Sequence, residues 1–520
     1  MKNISSVIFL VISLSISQLY AQNAPKKGIK QITESQIEES IAFLASDAMR
    51  GRSTPSAELD KSADYIASKL KDFGIKPVQG SYFQKIPFCA ADLNMDECRF
   101  ELTKSGNKRA FVLKENFTPL FDTGSTAANG ELVFAGYGIT APEYGYDDYK
   151  DIDVKDKIVL VMKQEPRQND TVSTVFDGTR VTRYSDLAYK IRNAAEHGAA
   201  GLLLVTDPLY NVAITAQGHL WNSLYMKGKA KPIYNVCNEQ DGSIPAAQVN
   251  RDVINEIFGS VDSLKTLQKN IDEKLQPNSF VLPQTFVDLT VSVNKNEFPS
   301  RNVIGWIEGA DRTLKNEFVV IGAHYDHVGV SSKPNTLNDS IMNGADDNAS
   351  GTAAVMAVAK AFAQSGKKPA RSVVFMLFTA EERGLVGSDY YTKNALFPLE
   401  KTVAMINLDM VGRNGNDTVY VVGQQYNPDL AALVNAAIPE SGLKKEEMET
   451  DLYRSSDYYP FYKKGISAIG ITSGLHGDYH KVSDNPDKIN SLKVQKIAQL
   501  AYKVAWQIAN TTNYYKIIEQ

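Results

Sequence analysis

The stretch GADDNASG, Gly344 to Gly351, sets Asp346 and Asp347 side by side in a frame of small residues. Carboxylates that close repel each other unless a cation lies between them. The same half of the chain carries His324 in GAHYDH, Glu381 and Glu382 in FTAEERG, Asp409 in NLDM and His480 in YHKVSD. Imidazoles and carboxylates without thiolate suit zinc, with cobalt or manganese as substitutes. None of the three cysteines, Cys89, Cys98 and Cys237, has CxxC spacing. A charge count favours two ions. Three ligand carboxylates and a hydroxide total about −4, which balances two divalent cations, whereas one ion leaves a crowded anionic site. In such a site the ions sit roughly 3.5–4 Å apart and share a carboxylate and a water.

Positioning these groups requires elements that bring distant loops together. After Pro299, EFVVIGAHYDH, RSVVFMLFTAEERG, KTVAMINLDMVG and GISAIGITSG each read as an apolar strand running into a loop. ASGTAAVMAVAKAFAQSG and SLKVQKIAQLAYKVAWQIAN read as helices between or after them. Uninterrupted apolar strands alternating with helices predict an α/β fold whose central sheet is mixed, mostly parallel and covered by helices on both faces. Each polar cluster falls just past a strand's C-terminal end, where open α/β sheets place their ligands. Upstream, Thr33 and Gln36 form a capping box for a helix through Ile37, Ile41 and Leu44 that should stop near Gly51. A second helix spans about Ala57 to Phe73, with Gly74 as its C′ residue. From about Gly130, ELVFAGYGI, KDKIVLVMK and AYKIRNAAEHGAAGLLLV predict a smaller α/β domain over roughly 125–290. Its GYG lacks the third glycine and the helix of a dinucleotide fingerprint.

With 520 residues the chain exceeds one ordinary core, so two domains are expected. A net charge of −4 leaves no cationic footprint for nucleic acid or an anionic membrane. The opening residues carry one Lys, an apolar run from Val7 to about Leu19 and Ala21 at a cleavage position. That is a signal peptide over 1–21, too short to span at the roughly 20 residues a membrane helix needs. It predicts an exported protein, periplasmic or extracellular, with no stable membrane insertion after removal. Cys89 and Cys98 could close a short loop and leave Cys237 free; spacing alone does not decide it.

GAHYDH, GADDNASG, FTAEERGLVGS, NLDM and YHKVSD, in that order, resemble the M28 family of zinc aminopeptidases. LASDAMRGR is similar to the family's opening helix, and the resemblance runs from about 30 to 510. It implies a zinc exopeptidase fold built from 30–124 and 291–515, with a protease-associated (PA) domain inserted at 125–290. It implies two zinc ions per chain. His324 and Asp409 would hold one, Glu382 and His480 the other, and Asp347 would bridge. Glu381 would be the general base, Tyr479 would steady the oxyanion, and Asp326 would orient the imidazole of His324. It also implies a cis peptide between Asp347 and Asn348. The family pattern uses the first histidine of GAHYDH, so His327 is left out of the ligand set.

Each residue has a plainer reading. His324 alone would be a hydrogen-bonded surface histidine, Asp346 and Asp347 a helix cap, and Glu381–Glu382 a solvated helix start. Tyr479 has a core-tyrosine reading, and Asp457 reads equally as an N-cap or an acid near the pocket. His476 reads as a loop residue near the pocket, and His197 and His219 as structural or surface groups. The resemblance implies peptide substrates and an exported di-zinc aminopeptidase acting through a metal-bridging hydroxide. A glutaminyl cyclase-like enzyme with one zinc, a carboxypeptidase or dipeptidase of the same family, and a receptor without catalysis are the alternatives. The preferred terminal residue and the oligomeric state are not legible.

Overall fold

The computed structural model describes residues 23–518 apart from 121, 122, 124, 171, 174, 177, 179–181, 212, 218–220, 222, 223, 225–233, 237–243, 336, 337 and 449–451. The leader expected over 1–21, His219 and Cys237 lie outside the described residues. Among the described residues no helix is long and apolar enough to cross a membrane. The chain forms two compact units, Met1–Ile86 with Pro299–Gln520, and Pro87–Phe298.

The discontinuous unit is built on a mixed sheet. Phe318–His324 lies between Ser372–Phe378 and Thr402–Leu408, parallel to both, and Thr402–Leu408 runs parallel to Ala468–Thr472. Antiparallel pairing adds Val293–Ile307 beside Ser372–Phe378 and Thr418–Val422 beside Ala468–Thr472. Alternate residues of one strand enter separate cores: Val373, Phe375 and Leu377 face one, Val374, Met376 and Phe378 the other. Both faces are dry, which is why these strands are continuous apolar runs rather than alternating ones. Helices Glu34–Leu44, Ala57–Phe73, Gly351–Gln364 and Ser491–Ala509 contribute to the first core, and Tyr391, Tyr458 and Phe461 to the second. The expected α/β architecture is therefore present.

The N-terminal helices start as their caps require. Thr33 accepts from the amide of Gln36, and Gly74 ends Ala57–Phe73 in a left-handed conformation with φ 86°. The first helix ends earlier than expected, at Leu44 rather than near Gly51. Residues Asp47–Arg52 form a 3-10 turn in which Arg50 and Gly51 are left-handed. The cause is Arg52, fully buried, whose guanidinium donates to the carbonyls of Leu44, Asn343, Gly344 and Tyr325. A continuing helix would carry it away from those acceptors.

In the continuous unit, Thr126–Phe134, Ile158–Met162, Gly201–Val205 and Ala246–Val249 pair in parallel, and Phe280–Val291 joins antiparallel to Thr126–Phe134. Ile158, Leu160 and Met162 face one core, Val159 and Val161 a second. This unit is wider than 125–290. Arg99–Lys104 pairs along Phe280–Val291, placing Phe100 opposite Leu289 and Leu102 opposite Val287 in the same core, and Phe117–Pro119 pairs with Ala246–Val249. Cys89 is disulfide-bonded and Cys98 is a buried free thiol, so the short loop between them does not close.

Candidate metal centre

Strand ends carry the polar groups. His324 is the last residue of Phe318–His324, Glu381 and Glu382 follow Ser372–Phe378, Asp409 follows Thr402–Leu408, and His480 lies in the loop after Ala468–Thr472. Three non-glycine residues take left-handed backbone beside these groups: Ala380 (φ 56°), Met410 (φ 55°) and His480 itself (φ 54°). Such conformations persist where surrounding structure over-determines them, and they cluster at functional sites.

The residues named from the sequence meet. His324 Nε2 lies 3.3 Å from Asp347 Oδ1, 3.3 Å from Asp409 Oδ1 and 4.0 Å from Glu381 Oε2. His480 Nε2 lies 3.1 Å from both Asp347 Oδ2 and Glu382 Oε2. The two oxygens of Asp347 thus face two different groups of ligating atoms, as a bridging carboxylate must. One group comprises His324, Glu381 and Asp409; the other comprises Asp347, Glu382, His480 and His327. His327, which motif position had set aside, has its Nδ1 2.9 Å from Glu382 Oε1.

Hydrogen bonds fix the frame. Asp484 accepts from the amides of Asp346 and Asp347, and Asn348 donates to Leu408 O and accepts from the amides of Gly351 and Met410. The Asp347–Asn348 peptide is cis. Asp346 is not a helix cap: Oδ1 accepts from the Gly412 amide and Oδ2 lies 3.2 Å from His476 Nε2. Ser456 donates to Asp409 Oδ2. Asp326 touches His324 Nδ1 through its carbonyl at 3.2 Å, while its carboxylate accepts from the Glu381 amide and from Thr54. Asp457 occupies the N-cap position of Tyr458–Tyr462 without capping it, and burial pushes its carboxyl up to about 7. Tyr479 is no core residue; it is 38% exposed and stacks on His480 with ring centroids 3.8 Å apart. Of these supports, Asp484 ends YHKVSD and Arg52 ends LASDAMRGR, but only the fold assigns them a job.

The adjacent glutamates have opposite environments. Burial pushes Glu381 well above the ordinary carboxylate range, with His324 opposing and Asp409 and Asp457 adding to it. Glu382 is held below its ordinary value: burial and Asp347 push it up, but His327 and His480 outweigh them. The imidazole of His480 rises to about 10, because Asp347 and Glu382 overcome the effect of burial. Paired acids whose environments diverge are the usual mark of divided roles.

The donor set fits a cation. His327 Nδ1, Asp347 Oδ2, Glu382 Oε1 and His480 Nε2 are all buried, and none has a hydrogen-bond partner. Buried polar atoms without aligned hydrogen bonds are costly, and a divalent ion would satisfy all four. Beside the centre a cavity of about 160 Å³ is lined by Met410, Val422, Leu452, Tyr458, Ile471 and Leu475, with Tyr479, His324, Glu381 and Asp409 at its polar end. An engineered apolar cavity of about 150 Å³ takes one benzene, so this one suits a single large apolar side chain.

Residues 302–505 match the model of peptidase family M28, and residues 128–257 match the PA domain model. The chain is similar to a probable leucine aminopeptidase 2 of Aspergillus oryzae, 28% identical over 51% of this chain and 54% of the relative. It is also similar to an aminopeptidase of Pseudomonas aeruginosa, 31% identical over 38% of this chain and 35% of the relative. The matches thus span about half or less of these relatives. A solved zinc aminopeptidase from Bacillus subtilis aligns over 94% of this chain and 98% of its own at 19% identity, with a TM-score of 0.45. Residues 302–505 are thus a peptidase family M28 region and residues 128–257 a PA domain.

Proposed function

We propose that the protein is an exported aminopeptidase that removes residues from the amino end of peptides at a two-zinc centre. The carrying observation is the pair of ligand groups that Asp347 joins, with Glu381 and an apolar cavity beside it. His324, Asp409 and Asp347 would hold one ion, and Glu382, His480 and Asp347 the other. When bound, the ions supply Lewis acidity to the scissile carbonyl and lower the pKa of water.

The chain's own groups do the rest. Glu381 takes a proton from the attacking water as its oxygen bonds to the carbonyl carbon. It then delivers that proton to the leaving nitrogen as the C–N bond breaks. Tyr479, which lines the cavity and is partly exposed, can donate to the oxyanion. Apolar walls from Met410, Val422, Leu452 and Leu475 favour a terminal Leu-, Met- or Phe-like side chain. No lysine or arginine stands among the described residues lining the cavity, so the lining offers no cationic side chain to pair with a terminal carboxylate. Export is supported by the leader pattern and by the disulfide at Cys89, which suits an oxidising compartment.

The test is a panel of aminoacyl and N-blocked substrates assayed with zinc-loaded protein. Cleavage of free termini with apolar first residues, lost on chelation and regained with zinc, is expected. Turnover that ignores chelators, or release only from the carboxyl end, would contradict the proposal. So would pyroglutamate formation with one ion per chain.

A further inference from the structure

We propose that His327 is a fourth protein ligand to the ion held by Asp347, Glu382 and His480. The two metal positions are then unequal. This rests on the two-metal reading above and deepens it.

His327 is buried to 1% exposure, and neither ring nitrogen has a hydrogen-bond partner. A histidine kept in a core for packing normally satisfies at least one nitrogen. Here Nδ1 points at Glu382 Oε1 (2.9 Å) and Asp347 Oδ2 (3.5 Å), and the ring meets that of His480 edge-on at 5.5 Å between centroids. All four ligand atoms lie within 4.8 Å of one another. The backbone fixes this placement. The His327 amide donates to Arg52 O, and the ring packs on Gly344, where a Cβ would come within 2.5 Å of the imidazole. Gly344 is left-handed as well (φ 60°), so a side chain there is excluded twice.

The consequence is a division between the two positions. Four protein ligands close a tetrahedral zinc site, whereas three leave a position for water or substrate. His327, Asp347, Glu382 and His480 make the closed position, with two imidazoles. His324 and Asp409, with the other oxygen of Asp347, make the open one, with a single imidazole and Glu381 alongside. The closed position fills first and empties last.

The experiment uses the purified full protein, stripped of metal and titrated with Zn²⁺ against a competing chelator. H327A and H327Q are titrated in parallel, with circular dichroism and melting to verify folding. The wild type is expected to take two ions of distinct affinity. In the variants the tighter one is expected to weaken by at least the ~10–100-fold that even outer partners of a metal ligand contribute. Folded H327Q with both affinities unchanged overturns the assignment and leaves two-metal binding intact. A wild type that never takes a second ion overturns both. X-ray absorption of the wild type with one equivalent of zinc gives an answer that needs no variant: two imidazoles on the first ion support the proposal, and one contradicts it.

Discussion

Asp148 in the continuous unit and Glu382 in the peptidase unit are both carboxylates withdrawn from water, and their surroundings differ in kind. Asp148 accepts from the amides of Tyr137 and Ile139 and from the Tyr146 hydroxyl, and Asp272 accepts from the hydroxyls of Tyr137 and Tyr210. Lys190, buried nearby, donates to the carbonyls of Tyr137 and Gln164 and offsets Asp207, one of whose oxygens accepts from the Gln164 amide. Donors of the unit itself meet these charges, with one oxygen of Asp207 as the exception. Around Glu382 the nearest groups are other acceptors and imidazoles, and four facing atoms stay without hydrogen bonds. Buried acid is therefore not by itself a sign of chemistry. The informative feature is buried acid that the polypeptide leaves unsatisfied.

Breaking the contrast at its sharpest point means changing Glu381 to Gln. Steady-state kinetics should show a loss of about 10²–10⁴-fold in kcat, the usual range for a general acid–base group, with zinc content unchanged. Loss of zinc along with activity would move Glu381 from base to ligand. Zinc itself should stabilise one region only. At a free concentration a hundredfold above Kd it adds about 2.7 kcal/mol, read by hydrogen exchange as slower opening around Gly344–Gly351 and Glu381–Arg383. Ile158–Met162 should not respond.

The reciprocal substitution, Asp148→Ala, strands three buried donors. It should cost at least about 1–3 kcal/mol in the exchange protection of Ile158–Met162 while zinc content and peptidase kcat stay the same. Burial raises Asp148 and Asp207 to about 7 each. Their protonated forms are favoured in the folded unit, so this contribution is full below the unfolded value of about 3.9 and is lost as pH rises through about 7. Exchange protection of Ile158–Met162 should fall across that window, and Asp148→Asn should flatten the fall. The smallest effect belongs to the cavity wall. Leu452→Ala should reduce kcat/KM for a Leu-terminal substrate relative to an Ala-terminal one by about 10-fold, the low end for apolar pocket contacts.

Much of this contrast was legible before any coordinates. Strand–loop periodicity placed His324, Asp409 and the glutamate pair at strand ends, because a buried parallel strand is a continuous apolar run and its end is abrupt. His327 was not legible. Whether residues three apart in GAHYDH face one centre depends on an irregular turn held by Arg52 and Gly344, and no period encodes it. The unit boundary at Pro87 escaped for a related reason: Arg99–Lys104 belongs with Phe280–Val291, a pairing nearly two hundred residues apart that local pattern does not carry. Cys89 and Cys98 were close in sequence, yet one is bonded and the other is a free buried thiol.

Diffraction at the zinc edge from crystals of the metal-loaded protein is the most direct measurement. Two anomalous peaks are expected, one within coordinating reach of Asp347, Glu382 and His480, the other within reach of His324, Asp347 and Asp409. A folded protein in excess zinc with no peak at these side chains would contradict the metal centre and the chemistry assigned to it.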